Sequence, residues 1–239
     1  EARIRGLGVF DLLVCGFSCQ DMSDANRQGR GLQGSKSMVF FAAMKILRAI
    51  RQLNPAMDHV LECTDFEAKH GRDWQHVNLV TGTPAVNLEA GDVARGWRKR
   101  AFWGRFAMLP LQKREVDPSS ALLHGRELMP RWKKKVPTIT THAGSWNMTR
   151  VVKQDGKVGP LLLQEVKNVM GYGTVDLESA KVGDRKVTSK EVWRGLGNSI
   201  HASVLCHMMV SWLVTRGYIT RDDVRLNGQC WTINQDGPL

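Results

Sequence analysis

The chain has 239 residues, 42% of them hydrophobic and 24% charged, a balance that suits one large folded domain or one domain with a small appendage. It holds no run of about 18 apolar residues, so no membrane-spanning helix is expected. A formal charge of +11 favours a polyanionic partner, and the basic residues gather in RGWRKRAFWGR, 95–105, and RWKKK, 131–135.

The first element is VFDLLVC, 9–15, a nearly continuous apolar run ending at Gly16, as in a strand buried on both faces of a parallel sheet. After the polar, Gly-rich DANRQGRGLQGS, a helix pattern starts near Ser35 with Phe40, Ala43, Met44, Leu47 and Ile50 on one face. Asn54-Pro55 ends it. HVLEC, 59–63, is the second strand, AVNLEA, 85–90, the third and RAFWGRF, 100–106, the fourth. Strand, helix and strand at this spacing predict an α/β fold with a parallel core.

From 110 to 155 Pro, Lys, Arg and isolated Trp dominate, which predicts a small separate lobe between 1–109 and 156–239. A helix follows over 159–172, with Pro160 in its first turn, Leu163, Val166 and Met170 as its buried stripe, and Gly171 near its stop. The last helix spans about 202–216. The five cysteines, at 15, 19, 63, 206 and 230, form no C-x-x-C pair, which points away from disulfides and zinc and towards a reducing intracellular compartment. The histidines show no ligand spacing, so no metal is expected.

Ligands of open α/β sheets bind beyond the carboxyl ends of the strands. Cys19 follows the first strand, Glu62 ends the second, and Arg98 with Arg100 leads into the fourth. A thiol near positive charge can act as a nucleophile, though a cysteine in a Gly loop is more often structural. A carboxylate in an apolar strand needs a partner or a job, whereas Arg-x-Arg beside aromatics could be a solvated face.

In order along the chain, DLLVCGFSCQDMS, GLQGSKSMVFFAAMKIL, VLECTDF, RKRAFWG and GLGNSI resemble the motifs of the cytosine-C5 DNA methyltransferase family. The family's Pro-Cys-Gln appears as Ser18-Cys19-Gln20, its Glu-Asn-Val as Glu62-Cys63-Thr64, its paired arginines as Arg98-Lys99-Arg100, and its Gly-Asn-Ser intact as Gly197-Asn198-Ser199. The helix at 159–172 retains Glu165 and Gly171 of the family's signature but lacks its proline. RKRAFWG and KKVPTITTHAGS, 134–145, look most like the eukaryotic de novo branch, which implies a nuclear protein.

The resemblance implies a Rossmann-like, S-adenosylmethionine-dependent methyltransferase fold with a small basic target-recognition lobe. It implies duplex DNA as partner and a flipped cytosine as substrate. Cys19 would attack C6, Glu62 would hold N3, and Arg100 with Arg98 would hold O2 and a nearby phosphate. C5 would then take a methyl group from S-adenosylmethionine, and elimination would release Cys19. Asn198 and Ser199 would contact this cofactor, with Gly16, Ser18 and Val39 as further candidates. Arg131, Lys133, Lys134 and Lys135 would meet DNA phosphates.

Three departures shape the expectations. The family's aromatic-x-Gly-x-Gly turn is absent ahead of Val9, so the chain reads as the later part of such an enzyme, or one partner of a split one, expected to bind cofactor weakly and to be inactive in isolation. Cys63-Thr64 replaces an Asn-Val whose Asn pins the nucleophile loop. Ser18 replaces a proline that stiffens it, offering competing local hydrogen bonds instead. The alternatives are a catalytically silent member that binds DNA or a partner, and a tRNA cytosine-5 methyltransferase.

Overall fold

The computed structural model describes residues 6, 8–142, 144, 146–227 and 230–233. The chain folds as two compact units, residues 1–88 with 99–106 and residues 89–98 with 107–239.

The first unit is built on a four-stranded sheet of order β1-β2-β4-β3, comprising Leu12–Gly16 (β1), Asp58–Cys63 (β2), Val86–Glu89 (β3) and Lys99–Gly104 (β4). β1 and β2 are parallel, with Leu12 opposite Asp58 and Gly16 opposite Glu62. The connection between them is the helix Met38–Leu53 (α1), whose buried face is Phe40, Ala43, Met44, Leu47 and Ile50. Asn54 ends α1, since its N–H closes on the Ile50 carbonyl while its side chain donates to the Phe10 carbonyl at 2.9 Å, and Pro55 bars continuation.

The sheet is mixed rather than purely parallel. β4 runs antiparallel to β2, with Glu62 opposite Phe102 and Cys63 opposite Ala101. A further helix, Gly71–Thr81 (α2), lies between β2 and β3. The sequence reading passed over α2 because it buries only Trp74, Val77 and Thr81 and starts without a side-chain cap.

The core of this unit is aromatic. Trp103 stands with its centroid 5.1 Å from Trp74, 5.9 Å from Phe17 and 6.0 Å from Phe66, and donates its indole N–H to the Asn78 side chain at 2.7 Å. Phe17, the residue that begins the loop bearing Cys19, is therefore anchored in the core while Cys19 is only partly buried. β1 is an edge strand with Val14 exposed. α1 also carries a second apolar row, Val39, Ala42, Ile46, Ala49 and Leu53, of which Val39, Ala42, Ile46 and Leu53 are exposed.

The second unit has one hydrophobic cluster. Among the described residues, Ala121, Leu128, Val136, Ile139, Met148 and Val152 share it with Val166, Met170, Trp193 and Leu196. Its antiparallel sheet joins Glu127–Leu128 (β5), Val152–Gln154 (β6) and Lys157–Gly159 (β7). Asp155 (φ 48°) and Gly156 (φ 77°) turn β6 into β7, the left-handed pair that a two-residue hairpin demands.

That hairpin corrects the expected helix over 159–172. The helix (α3) runs from Leu163 to Met170 only, and Pro160 lies ahead of its N-cap Leu162. Gly171 stops it as expected, in a left-handed conformation with φ 81°. Ser189–Asn198 (α4) opens on a reciprocal cap between Thr188 and Glu191 and ends in the Gly-Asn-Ser motif, and Ala202–Thr215 (α5) follows.

Candidate active site

The carboxyl ends of β1 and β2 lie side by side, and the antiparallel course of β4 brings its first residues to the same end. This is why Arg100 meets Glu62: its Nε is 3.1 Å from Oε1 of the carboxylate, and both side chains are largely buried. Lys99 reaches Asp65 at 2.6 Å beside them. The other carboxylate oxygen of Glu62 lies against Gly16, where an added Cβ would stand 3.1 Å from it. Glu62 is thus held between a guanidinium and a bare stretch of backbone two residues short of Ser18, and it helps burial keep the Cys15 thiol above its ordinary range.

Phe17 extends the β1–β2 ladder by donating its N–H to the Glu62 carbonyl at 3.0 Å. Beyond it the backbone turns sharply, with the N–H groups of Met22 and Ser23 both donating to the Cys19 carbonyl at 3.0 and 2.8 Å. Ser18 makes a local hydrogen bond of the kind its hydroxyl invites, accepting from the Gln20 N–H at a long 3.4 Å. The loop is pinned elsewhere. Lys69 donates to the Ser23 and Asn26 carbonyls at 2.8 and 2.6 Å, Asp21 accepts from the Lys36 N–H at 2.9 Å, and Asp73 accepts from the Leu32 N–H at 2.8 Å.

Cys63 is buried, which drives its thiol well above the usual range, with Cys19 as the next contributor. Cys63 therefore contributes no hydrogen-bond anchor to the Cys19 loop that rivals those of Lys69, Asp21 and Asp73. Lys69 and Asp73 lie outside every motif, so nothing in the linear sequence marks them.

Arg98 belongs to the second unit. Only 3% exposed, its Nη1 donates to the Ile139 carbonyl at 3.0 Å and its Nη2 to the Gly197 and Ser199 carbonyls at 2.9 and 2.6 Å. Its partners define it as a brace for the Gly197-Asn198-Ser199 turn. Gly197 passes so close to Thr140 that a Cβ would overlap backbone at 2.6 Å, Asn198 is exposed, and Ser199 Oγ donates to the Leu196 carbonyl at 2.9 Å. Another buried pair is Glu165 with Arg126, 2.8 Å apart, where Glu165 also accepts the N–H groups of Leu123 and Leu162.

Of the basic residues, Lys133 and Lys134 are exposed, Lys135 donates to the Ala94 carbonyl at 2.7 Å, and Arg131 lies 4.2 Å over the Trp132 ring. Of the remaining cofactor candidates, Gly16 is exposed, Ser18 half-buried, and Val39 exposed in the first turn of α1.

No family model matches the sequence. Among solved structures, the chain is similar to the Entamoeba histolytica methyltransferase EhMeth, with a TM-score of 0.62 at 12% identity over 89% of this chain and 79% of that one. It is also similar to the S. pombe Dnmt2 methyltransferase, with a TM-score of 0.53 at 15% identity over 87% of this chain and 79% of that one. With these folds beside its mixed sheet and its strand-end cluster, the chain has the Rossmann-like α/β fold of the methyltransferases.

Proposed function

We propose that the chain is a cytosine-5 methyltransferase region acting on DNA, with S-adenosylmethionine as methyl donor and Cys19 as nucleophile. The observation that carries this reading is the Glu62 carboxylate, held 3.1 Å from Arg100 and lying against Gly16, the last residue of the strand that leads into the Cys19 loop. A soft nucleophile, a sheltered carboxyl group and a fixed cation around one space are what addition to a cytosine ring requires.

In this mechanism the Cys19 sulfur adds to C6, and the π electrons of C5=C6 move towards C4 and N3. Glu62 holds the proton at N3, so charge does not accumulate on the ring. Arg100 fixes Glu62 and offers its remaining N–H groups to O2. Once C5 has been methylated, loss of its proton to solvent restores the double bond and expels the thiolate. Arg98 contributes by bracing the Gly-Asn-Ser turn. S-adenosylmethionine, when bound, would supply the methyl group as an electrophile and leave as S-adenosylhomocysteine. Gly16, whose missing side chain leaves its backbone bare beside Glu62, would hold it with Ser18 and Val39.

The test is covalent trapping. A duplex carrying 5-fluorocytosine is expected to form a denaturation-resistant adduct with the full-length protein in the presence of S-adenosylmethionine, and Cys19→Ala is expected to form none. No adduct from the wild type, with duplex still bound, would favour a silent nucleic-acid-binding protein. An adduct on tRNA but not on duplex DNA would reassign the substrate.

A further inference from the structure

The second unit contains a groove of about 870 Å³ lined by Trp97, Lys113, Arg114, Lys133, Lys134 and Lys135, with Gly91 at its floor. Three carboxylates share it. Asp92 is paired with Lys113 at 3.0 Å, and Asp117 accepts from the Ser119 N–H and hydroxyl, which leaves Glu115 as the remaining carboxylate and Arg114, Lys133, Lys134 and Lys135 as the remaining cations. Trp97 is 45% exposed, unusual for so large an apolar side chain.

The indole is nevertheless held firmly. A Cβ on Gly91 would stand 2.6 Å from the six-membered ring, so the ring packs directly on that backbone. A single oxygen of Glu89 accepts the N–H groups of Gly91 and Arg98 at 2.9 and 2.6 Å, fixing both ends of this seat. The Trp97 N–H donates to the Val136 carbonyl at 2.9 Å, and the Val136 N–H donates to the Arg95 carbonyl at 2.9 Å. This short ladder fastens Trp97 to the segment carrying Lys133, Lys134 and Lys135. The opposite wall is fixed as well, since Arg114 donates its N–H to the Asp92 carbonyl at 2.8 Å and its Nε to the Val93 carbonyl at 3.2 Å.

We infer that this groove binds an unpaired nucleotide of a nucleic-acid strand, its base stacked on Trp97 and its phosphates facing Lys133 and Lys134. A rigid aromatic surface beside exposed cations is the combination that captures single-stranded nucleic acid, because every base offers a π face and every linkage a charge. A base paired inside a duplex has no face to give. The inference rests on the nucleic-acid reading above for the class of polymer, and it assigns Trp97 a part that the cysteine chemistry does not require.

Fluorescence anisotropy with labelled (dT)12 and a blunt duplex of two complementary strands tests it. Trp97→Ala is expected to weaken (dT)12 binding by between about fivefold and a hundredfold, and to change duplex binding by less than about twofold. Trp97→Phe should retain most of the affinity for (dT)12. Lys133→Ala with Lys134→Ala should lower the salt dependence on both probes. Should Trp97→Ala lower the melting temperature, 5-iodouracil in (dT)12 supplies a second readout, expected to crosslink to Trp97 of the wild type. Equal loss on both probes, no loss on (dT)12, or a crosslink elsewhere would overturn the inference. The 5-fluorocytosine adduct is unaffected by these outcomes, so the two readings fail separately.

Discussion

At the scale of single residues, Gly16 and Glu62 decide the geometry of the site. The contact of 3.1 Å that a methyl group at Gly16 would make with the Glu62 carboxylate is tight enough to displace it by a few tenths of an ångström. Gly16→Ala is therefore expected to cost less than about 1 kcal/mol of stability while slowing 5-fluorocytosine adduct formation about tenfold. Urea denaturation and single-turnover trapping separate the two effects, and an unchanged trapping rate would show that Glu62 has no part in the chemistry. The positions of Cys19, Glu62 and Arg100 were legible in the sequence because Cys19 follows a strand, Glu62 lies at the end of one and Arg100 at the start of one. Arg98 was legible as an important arginine but not as a brace, since its carbonyl partners lie 41, 99 and 101 positions away. Trp97 was visible only as one aromatic in a basic run.

At the scale of elements, α1, β2 and β4 follow from hydrophobic runs with clear breakers, whereas β1, expected to be buried on both faces, is an edge strand with Val14 exposed. Two elements outside those runs carried short-range signals of other kinds. Asp155-Gly156 announces the β6–β7 hairpin, and Thr188-x-x-Glu191 announces the start of α4. Neither depends on periodicity, which was the main criterion applied. α1 raises a further point, because its apolar residues form two rows and only one is buried. The other row, with Ile46 43% exposed and Val39 48% exposed, has heptad spacing and flanks without a single acidic residue. Val39→Gln with Ile46→Lys is expected to shift the protein towards monomer in sedimentation velocity and to leave the melting temperature within about 2 °C. Unaltered association would exonerate this face.

At the scale of the whole molecule, each unit contains a histidine whose burial lowers its pKa from 6.5 to about 4, His59 in the first and His201 in the second. Burial is the leading cause for both, and Arg51, whose Nη2 is 2.8 Å from Nδ1, adds repulsion at His59. His201 is also the N-cap of α5. Its Nδ1 accepts the Ser203 N–H at 3.2 Å while Nε2 faces the Val169 carbonyl at 2.8 Å, so a second ring proton removes the cap. The unfolded chain takes up these protons near pH 6.5 and the folded chain only near 4. Their stabilisation is therefore complete above 6.5, falls as pH drops from there to about 4, and changes no further below. Each contributes on the order of 3 kcal/mol across that window. Urea midpoints at pH 7.5, 5.5 and 4.5 should fall in that order, and a flat series would contradict the burial of both rings.

The bracing of Arg98 and the pairing of Arg100 have one more consequence. Arg98-Lys99-Arg100 is a tribasic sequence of the kind that trypsin-like proteases cut first in an unfolded chain. Cleavage needs the peptide to leave its surroundings and lie extended in the protease cleft. Here Arg98 is fastened to three carbonyls, Lys99 and Arg100 to carboxylates, and the backbone immediately after them to β2. These scissile bonds are shielded in the folded protein, unlike those of the exposed Lys133-Lys134 run, and processing there reports that the fold has already been lost.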